Sequence, residues 1–265
     1  MVRPRIPITE CISHESPLAT EYRRLLQNLK RLESKGEMKA LLVTSSVTGE
    51  GKSTISSLLA ITAARKGQRT ILIDCDVRRP AIHRLFQVER HNGLVDVIGD
   101  GVAYKDVIKK TSIDNLDLIT AGKVTPHPSE MFNTGALDAL FRELKFYYDL
   151  VVIDSPPVIP VSDPMLLAQM VDGVILVIKA GETAREVALR AVDIMTTNRA
   201  NVLGVVLNNA RNSLPYYYDY THYHYDYSQR HQEGEPGGSV HRRGGLKLPD
   251  RSRPGEPQEK KRSLK

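Results

Sequence analysis

The sequence predicts an α/β fold in which a mostly parallel β-sheet has helices on both faces. Three observations predict it. Short runs rich in Val, Ile and Leu recur along the chain, and such runs are typical of strands buried on both sides. Segments with a helical spacing of apolar residues separate these runs. A glycine-rich loop joins the first strand to the helix that follows it. Strands that alternate with helices favour a parallel sheet.

Each element follows from a local pattern. The first helix is predicted from Leu18 to Leu32, where apolar residues recur with helical spacing after the start signal Ser16-Pro17. The predicted strands are 40–46, 69–76, 116–120, 149–156, 173–179 and 204–209. The further predicted helices are 53–67, 134–146, 164–171 and 184–197.

The composition excludes several classes of protein. The chain has 265 residues, of which 41% are hydrophobic, a balance typical of globular proteins. No apolar run approaches the roughly 18 residues of a membrane span, and the N-terminus lacks the apolar core of a signal peptide. Cys11 and Cys75 lie far apart without neighbouring ligands, which argues against a disulfide framework or a zinc site. We therefore expect a cytoplasmic protein.

The positive charge is concentrated at the C-terminus. The net charge is +6, but residues 228–265 hold ten Lys and Arg against five Asp and Glu, so residues 1–227 hold 27 against 26. A nearly neutral body argues against a nucleic-acid partner, and a tail so poor in branched apolar residues is expected to be disordered. The predicted segments are an N-terminal extension (1–16), a folded domain (17–212), a tyrosine cluster (213–228) and a disordered basic tail (229–265).

Residues 46–53, Ser-Val-Thr-Gly-Glu-Gly-Lys-Ser, match the pattern of a phosphate-binding loop (P-loop), with Ser46 in place of the first glycine. Glycines let the backbone approach phosphate oxygens, a lysine supplies a cation, and the last hydroxyl can bind Mg²⁺. The flanking strand and helix are the context that this loop needs, so the sequence predicts a P-loop NTPase fold. The candidate nucleotide-binding residues are Thr48, Gly49, Glu50, Gly51, Lys52, Ser53 and Thr54.

Three aspartates end two of the predicted strands. Asp154 closes the run VVID, and Asp74 and Asp76 close ILIDCD. Taken alone, strand-end aspartates are usually turn formers, but the carboxyl ends of parallel strands meet at one edge of the sheet, where ligands bind. Three carboxylates beside one lysine exceed what Mg²⁺ requires, which leaves one to act as a base.

The nucleotide is predicted to be ATP. A guanine-specific site is expected to show Asn-Lys-x-Asp after a late strand, and the corresponding stretch here begins Asn208-Asn209. Asn208 is a candidate contact of the adenine base, although an ordinary strand-end asparagine fits the pattern equally well.

Tyrosine is concentrated just before the tail. Seven of the eleven tyrosines fall within residues 216–227, namely Tyr216, Tyr217, Tyr218, Tyr220, Tyr223, Tyr225 and Tyr227. An aromatic edge strand, a surface that stacks on single-stranded nucleic acid, and a metal site at His222 and His224 remain alternatives. The favoured interpretation is a multi-site phosphoacceptor, in which each phosphate adds about −1.5 to −2 charges.

Taken together, these motifs resemble those of the bacterial tyrosine kinases of capsule and exopolysaccharide synthesis. The resemblance covers about residues 16–227 and includes SSVTGEGKS, ILIDCDVRRP, AGKVTPHPSEMF, YDLVVIDSPPV, SDPMLLAQMVDGVILVIKAGET and the tyrosine cluster. The combination of the second acidic motif with the cluster is the specific part. Two departures are Thr48, where the family usually has Pro, and an incomplete N-terminal Glu-x-x-Arg-x-x-Arg motif.

The resemblance implies an ATP- and Mg²⁺-dependent protein-tyrosine kinase that autophosphorylates. It implies catalytic roles for Lys52, Asp74, Asp76 and Asp154, with Asp74 as the base and Ser53, Asp76 and Asp154 at the metal. Each copy is expected to phosphorylate the cluster of a neighbouring copy. The implied partners are a membrane-spanning polysaccharide co-polymerase that activates the kinase at the inner face of the membrane, and a cognate tyrosine phosphatase. The alternative function is a P-loop switch ATPase of the partition or septum-site type.

Overall fold

A β-sheet forms the centre of the computed structural model, which describes residues 7–11, 16–32, 38–125, 128–132 and 135–210. Within these residues the sheet has seven strands: β1 (Ala40–Ser45), β2 (Thr70–Asp74), β3 (Lys109–Lys110), β4 (Leu116–Ile119), β5 (Leu150–Asp154), β6 (Gly173–Lys179) and β7 (Val202–Asn208). Their order across the sheet is β3-β4-β2-β5-β1-β6-β7, and every pair is parallel except β3 with β4.

Helices connect the strands. The helices of the described residues are α1 (Pro17–Leu32), α2 (Lys52–Arg65), α3 (Ile82–Phe86), α4 (Leu94–Asp100), α5 (Tyr104–Val107), α6 (Pro128–Met131), α7 (Gly135–Tyr147), α8 (Asp163–Ala168) and α9 (Arg185–Thr197). A short 3-10 helix covers Ile8–Glu10. None of them is long and apolar enough to cross a membrane.

The sheet is buried on both faces because its strands send alternate side chains to two separate cores. Leu41 and Val43 of β1 pack with α1, α2 and α3 on one face. Leu42, between them, packs on the other face with residues of α4, α7, α8 and α9. All six β1 side chains are buried, which explains why the strand shows a continuous apolar run instead of an alternating one. The predicted fold class, a mostly parallel sheet with helices on both faces, is confirmed.

The predicted elements are present with boundaries shifted by a few residues, and the structure adds short ones. The two-residue strand β3 and helices α3 to α6, which have four to seven residues each, were not predicted, because such short elements show no clear periodicity. The predicted limits at 212 and 228, the tyrosine cluster and the tail lie outside the described residues.

The strand register brings the predicted carboxylates to one edge. Asp154, the last residue of β5, pairs with Asp74 of β2 on one side and with Val43 of β1 on the other. Because β1 continues directly into the P-loop, the carboxyl ends of these three strands place the loop and both aspartates together.

Candidate active site

The P-loop turns sharply between β1 and α2 with the help of two glycines. Gly49 and Gly51 adopt φ of +88° and +94°, a region that other residues rarely adopt. A Cβ at Gly51 would also lie 2.2 Å from the Asn208 amide nitrogen. The N–H groups of Thr54 and Ile55 make the first helical bonds, both to the Gly51 carbonyl. The N–H groups that precede them are therefore available to a phosphate at the helix N-terminus.

Glu50 holds the loop in this shape. Its side chain is almost fully buried, and Oε2 accepts a hydrogen bond from the Val47 N–H at 2.8 Å. Oε1 accepts a hydrogen bond from the Thr183 hydroxyl, in the segment that connects β6 to α9. The Glu50 carbonyl accepts a hydrogen bond from the Asn208 side-chain amide at 2.9 Å. Two distant segments of the chain, at Thr183 and Asn208, thus meet at one residue of the loop.

Lys52, the first residue of α2, forms an ion pair across the site. Its ammonium lies 2.8 Å from Oδ2 of Asp76, and both side chains are largely buried. Burial opposes the charge of Lys52, but Asp154, Asp76 and Asp74 together outweigh this effect and raise its pKa. The ammonium therefore stays charged, as a phosphate-binding cation must.

Asp74 is fully buried and anchors the segment after β2. Oδ1 accepts a hydrogen bond from the N–H of Asp76 at 3.2 Å, and Oδ2 accepts bonds from the N–H groups of Ala81 and Ile82 at 3.1 Å each. Burial, together with the charge of Asp154, raises the pKa of Asp74 despite these donors. A carboxylate has about four lone-pair sites, so one remains open for a further donor.

Asp154 is a buried acidic group of the site whose two oxygens are unsatisfied. It is fully buried, and neither carboxylate oxygen has a hydrogen-bond partner among the described residues. Burial raises its pKa to about 6, although the nearby charge of Lys52 offsets part of the rise. An unpartnered buried carboxylate is costly and therefore points to a ligand.

The donor set fits a magnesium ion that is shared with a nucleotide. Mg²⁺ is usually bound by one or two carboxylates plus phosphate oxygens and water, and not by a cage of protein ligands. Asp154 supplies free carboxylate oxygens, and Ser53 lies in the first turn of α2. Within the described residues no group of three or more acidic, His or Cys side chains forms a metal site by itself.

The remaining predicted residues lie around the loop. Thr48 and Gly49 are exposed at its tip, and Thr54 is exposed in the first turn of α2. Asn208 ends β7, where its Oδ1 accepts a bond from the N–H of Asn209. A groove of about 520 Å³ opens beside it, between α1 and β7.

A second polar cluster follows the acidic motif. Arg78 donates from Nε to Oδ2 of Asp163 at 2.9 Å and from Nη2 to the hydroxyl of Ser129 at 2.7 Å. That hydroxyl donates to Oδ1 of Asp163, also at 2.7 Å. Asp163 is fully buried at the start of α8. The cluster ties the segment after β2 to α6 and α8.

Sequence reasoning missed Thr183 and Asp163. Thr183 contacts Glu50, which is 133 positions away along the chain, and Asp163 contacts Arg78, which is 85 positions away. No local sequence pattern indicates such contacts. The only available signal was their position in runs that resemble the kinase family, Ala-Gly-Glu-Thr and Ser-Asp-Pro. The candidate phosphoacceptor tyrosines lie outside the described residues.

Comparisons with known proteins agree with this geometry. A family model of ParA, described as the NUBPL iron-transfer P-loop NTPase, matches residues 37–231. The putative tyrosine-protein kinase CapB of Staphylococcus aureus is 34% identical over 224 residues, which cover 82% of this chain and 98% of CapB.

Two solved structures share the fold. The kinase domain of the Escherichia coli tyrosine kinase ETK aligns with a TM-score of 0.73 at 27% identity, covering 78% of this chain and 82% of that domain. The septum site-determining protein MinD of Pyrococcus horikoshii, solved with Mg-ADP, aligns with a TM-score of 0.57 at 21% identity, covering 66% of this chain and 72% of MinD. The second likeness shows the fold alone.

Proposed function

The chain belongs to the bacterial tyrosine kinases within the ParA-type P-loop NTPases, and from that membership we propose that it transfers the γ-phosphoryl group of ATP to tyrosines of a neighbouring copy of itself. The observation that carries the proposal is the buried Asp154 carboxylate without a partner, at the strand end next to Lys52. The family membership supports protein tyrosine as the acceptor.

In this proposal each site residue has a separate task. Backbone N–H groups of residues 48–53 bind the phosphates, and Lys52 neutralises charge on the transferring phosphoryl group. Ser53, Asp76 and Asp154 would hold Mg²⁺ directly or through water. When bound, the ion would supply positive charge that offsets the negative charge of the phosphoryl group during transfer. Asp76, which forms an ion pair with Lys52, would then interact less closely with Lys52 and also contact the metal.

Asp74 is the proposed base. Its raised pKa makes it a stronger proton acceptor than an ordinary aspartate, and one lone-pair site remains beside its three backbone donors. The same carboxylate anchors the N–H groups of Ala81 and Ile82, so the acceptor hydroxyl has to enter beside that anchored segment. Asn208, which already contacts the Glu50 carbonyl, is the proposed contact of the adenine base.

The acceptors are the seven tyrosines of residues 216–227, presented by another copy. The proposed role is control of capsule or exopolysaccharide synthesis, with a membrane-spanning co-polymerase as activator at the inner face of the membrane and a phosphatase as antagonist. The resemblance of the motifs to the kinase family supports these partners. A septum-site protein shares the fold. The similarity to CapB, which extends over nearly the whole length of CapB, favours the kinase function over the switch ATPase.

The test is a phosphosite map. Purified full-length protein is incubated with ATP and Mg²⁺, and phosphotyrosine is located by mass spectrometry, with Lys52→Met and an EDTA-treated sample as controls. The proposal predicts phosphotyrosine within 216–227 that both controls lack. ATP consumption without phosphotyrosine would instead favour the switch ATPase.

A further inference from the structure

A tyrosine in the folded domain repeats the local sequence of the tyrosine cluster. The run Phe146-Tyr147-Tyr148-Asp149 places two tyrosines before an aspartate, as the cluster does at 217–219. A kinase that accepts tyrosines in the aromatic and acidic setting of the cluster therefore meets a similar setting on its own folded domain. We propose that Tyr147 is an additional autophosphorylation site, an inference that rests on the proposed function.

Tyr147 differs in accessibility from the other tyrosines of the described residues. It is the last residue of α7 and is 44% exposed. Tyr22 is buried. The Tyr148 hydroxyl donates a hydrogen bond to Oδ2 of Asp117 at 2.7 Å. Burial and the Glu143 carboxylate raise the pKa of Tyr104 to about 12, which makes its proton harder to remove.

The surroundings of Tyr147 suit a phosphate. Its ring meets that of Phe146 edge to face, with the centroids 5.2 Å apart. The Lys105 ammonium lies 5.5 Å from the centroid of the Tyr147 ring. Lys105 is exposed and belongs to α5, so its flexible side chain can pair with a phosphate that carries about −1.5 to −2 charges. On phosphorylation of Tyr147, Lys105 would leave the face of the ring and form an ion pair with the phosphate.

The position of Tyr147 requires that another copy phosphorylates it. Tyr147 precedes β5, and Asp154 ends that strand, so about 13 Å of strand separates the acceptor from its own site. Tyr147 lies at the edge of the sheet opposite the P-loop. In the transfer, Tyr147 Oη of one copy forms the bond to the γ-phosphorus, the bond from that phosphorus to the β,γ-bridging oxygen breaks, and ADP leaves. The phenolic proton passes to Asp74 of the acting copy.

The experiment separates this site from the cluster. A full-length variant with all seven cluster tyrosines changed to Phe is incubated with ATP and Mg²⁺, and phosphotyrosine is mapped beside the wild type. We expect phosphate on Tyr147 in both proteins. Adding Tyr147→Phe, which keeps the ring and its contacts, should lower the phosphotyrosine of the cluster-free variant at least tenfold. The matched change Tyr104→Phe should leave it unchanged.

The possible outcomes distinguish the two proposals. Phosphate within 216–227 of the wild type but not on Tyr147 would overturn the inference and leave the proposed function intact. Phosphate on Tyr104 or Tyr148 in preference to Tyr147 would also overturn it. No phosphotyrosine anywhere would overturn the proposed function and the inference together. Lys52→Met protein mixed with wild type should gain phosphate on its own Tyr147, and failure to do so would exclude transfer between copies.

Discussion

Replacing Asp154 by Asn is expected to stabilise the nucleotide-free protein while it abolishes phosphoryl transfer. In the folded state burial raises the pKa of Asp154 to about 6, whereas an unfolded chain ionises an aspartate near 3.9. Between these values the folded state holds a proton that the unfolded state releases. Stability therefore falls as pH rises through this range and is level above it. Asparagine has nearly the same shape without the charge.

The shift gives the magnitude. At about 1.36 kcal/mol per pKa unit, a rise of about two units lowers the free energy of unfolding by about 3 kcal/mol at pH 8. At pH 5 the free energy of unfolding is already lowered by about half of that amount. For a domain of this size about 1 kcal/mol moves the Tm by roughly 2–4 °C. We therefore expect Asp154→Asn to raise the Tm by roughly 6–12 °C at pH 8 and by about half as much at pH 5.

Thermal unfolding followed by circular dichroism, in EDTA and without nucleotide, is the assay. Asp149→Asn is the matched control. Asp149 lies just before the same strand, but its hydrogen bonds with Arg69 lower its pKa, and the pair is exposed. This change should not raise the Tm at either pH. An Asp154→Asn variant that is no more stable than wild type at pH 8, or a gain that does not grow with pH, would refute the reasoning.

Three further predictions follow from the same contacts. Thr183→Val removes the hydroxyl that holds Glu50, so calorimetry should show nucleotide affinity about tenfold weaker with an unchanged fold, while an unchanged affinity would remove Thr183 from the site. Asp74 and Asp154 retain protons because their pKa values are raised, and Mg²⁺ must displace these protons when it binds. Its affinity should therefore rise with pH, and titration in buffers of different ionisation enthalpy should show proton release; a pH-independent affinity would contradict this. Phosphorylation of residues 216–227 adds roughly −10 to −14 charges, so light scattering should show a smaller assembly after ATP and Mg²⁺ are added, and a constant mass would count against it.

The parts of the site that were predictable from sequence are those that local patterns encode. Gly49 and Gly51 lie where a turn needs positive φ, and Asp74 and Asp154 end strands whose apolar runs are visible in the sequence. Because the strands are parallel, their carboxyl ends lie at the same edge of the sheet. The strand register places Asp74 and Asp154 next to each other.

Other features depend on contacts between distant residues. The hydrogen bond from Thr183 to Glu50 spans 133 residues, and that from Arg78 to Asp163 spans 85. The lack of a partner for Asp154 is likewise a property of the packed site and not of the run VVID. Local propensity carries no information on such contacts.

The most direct test of the central claim is transfer between two complementary full-length variants. One full-length chain carries Lys52→Met and keeps its cluster; the other keeps Lys52 but has all seven cluster tyrosines changed to Phe. Mixed with ATP and Mg²⁺, the pair should produce phosphotyrosine within 216–227 of the Lys52→Met chain, and neither chain alone should produce any there. Continued absence of phosphotyrosine from that segment in the mixture would contradict a tyrosine kinase that acts between copies.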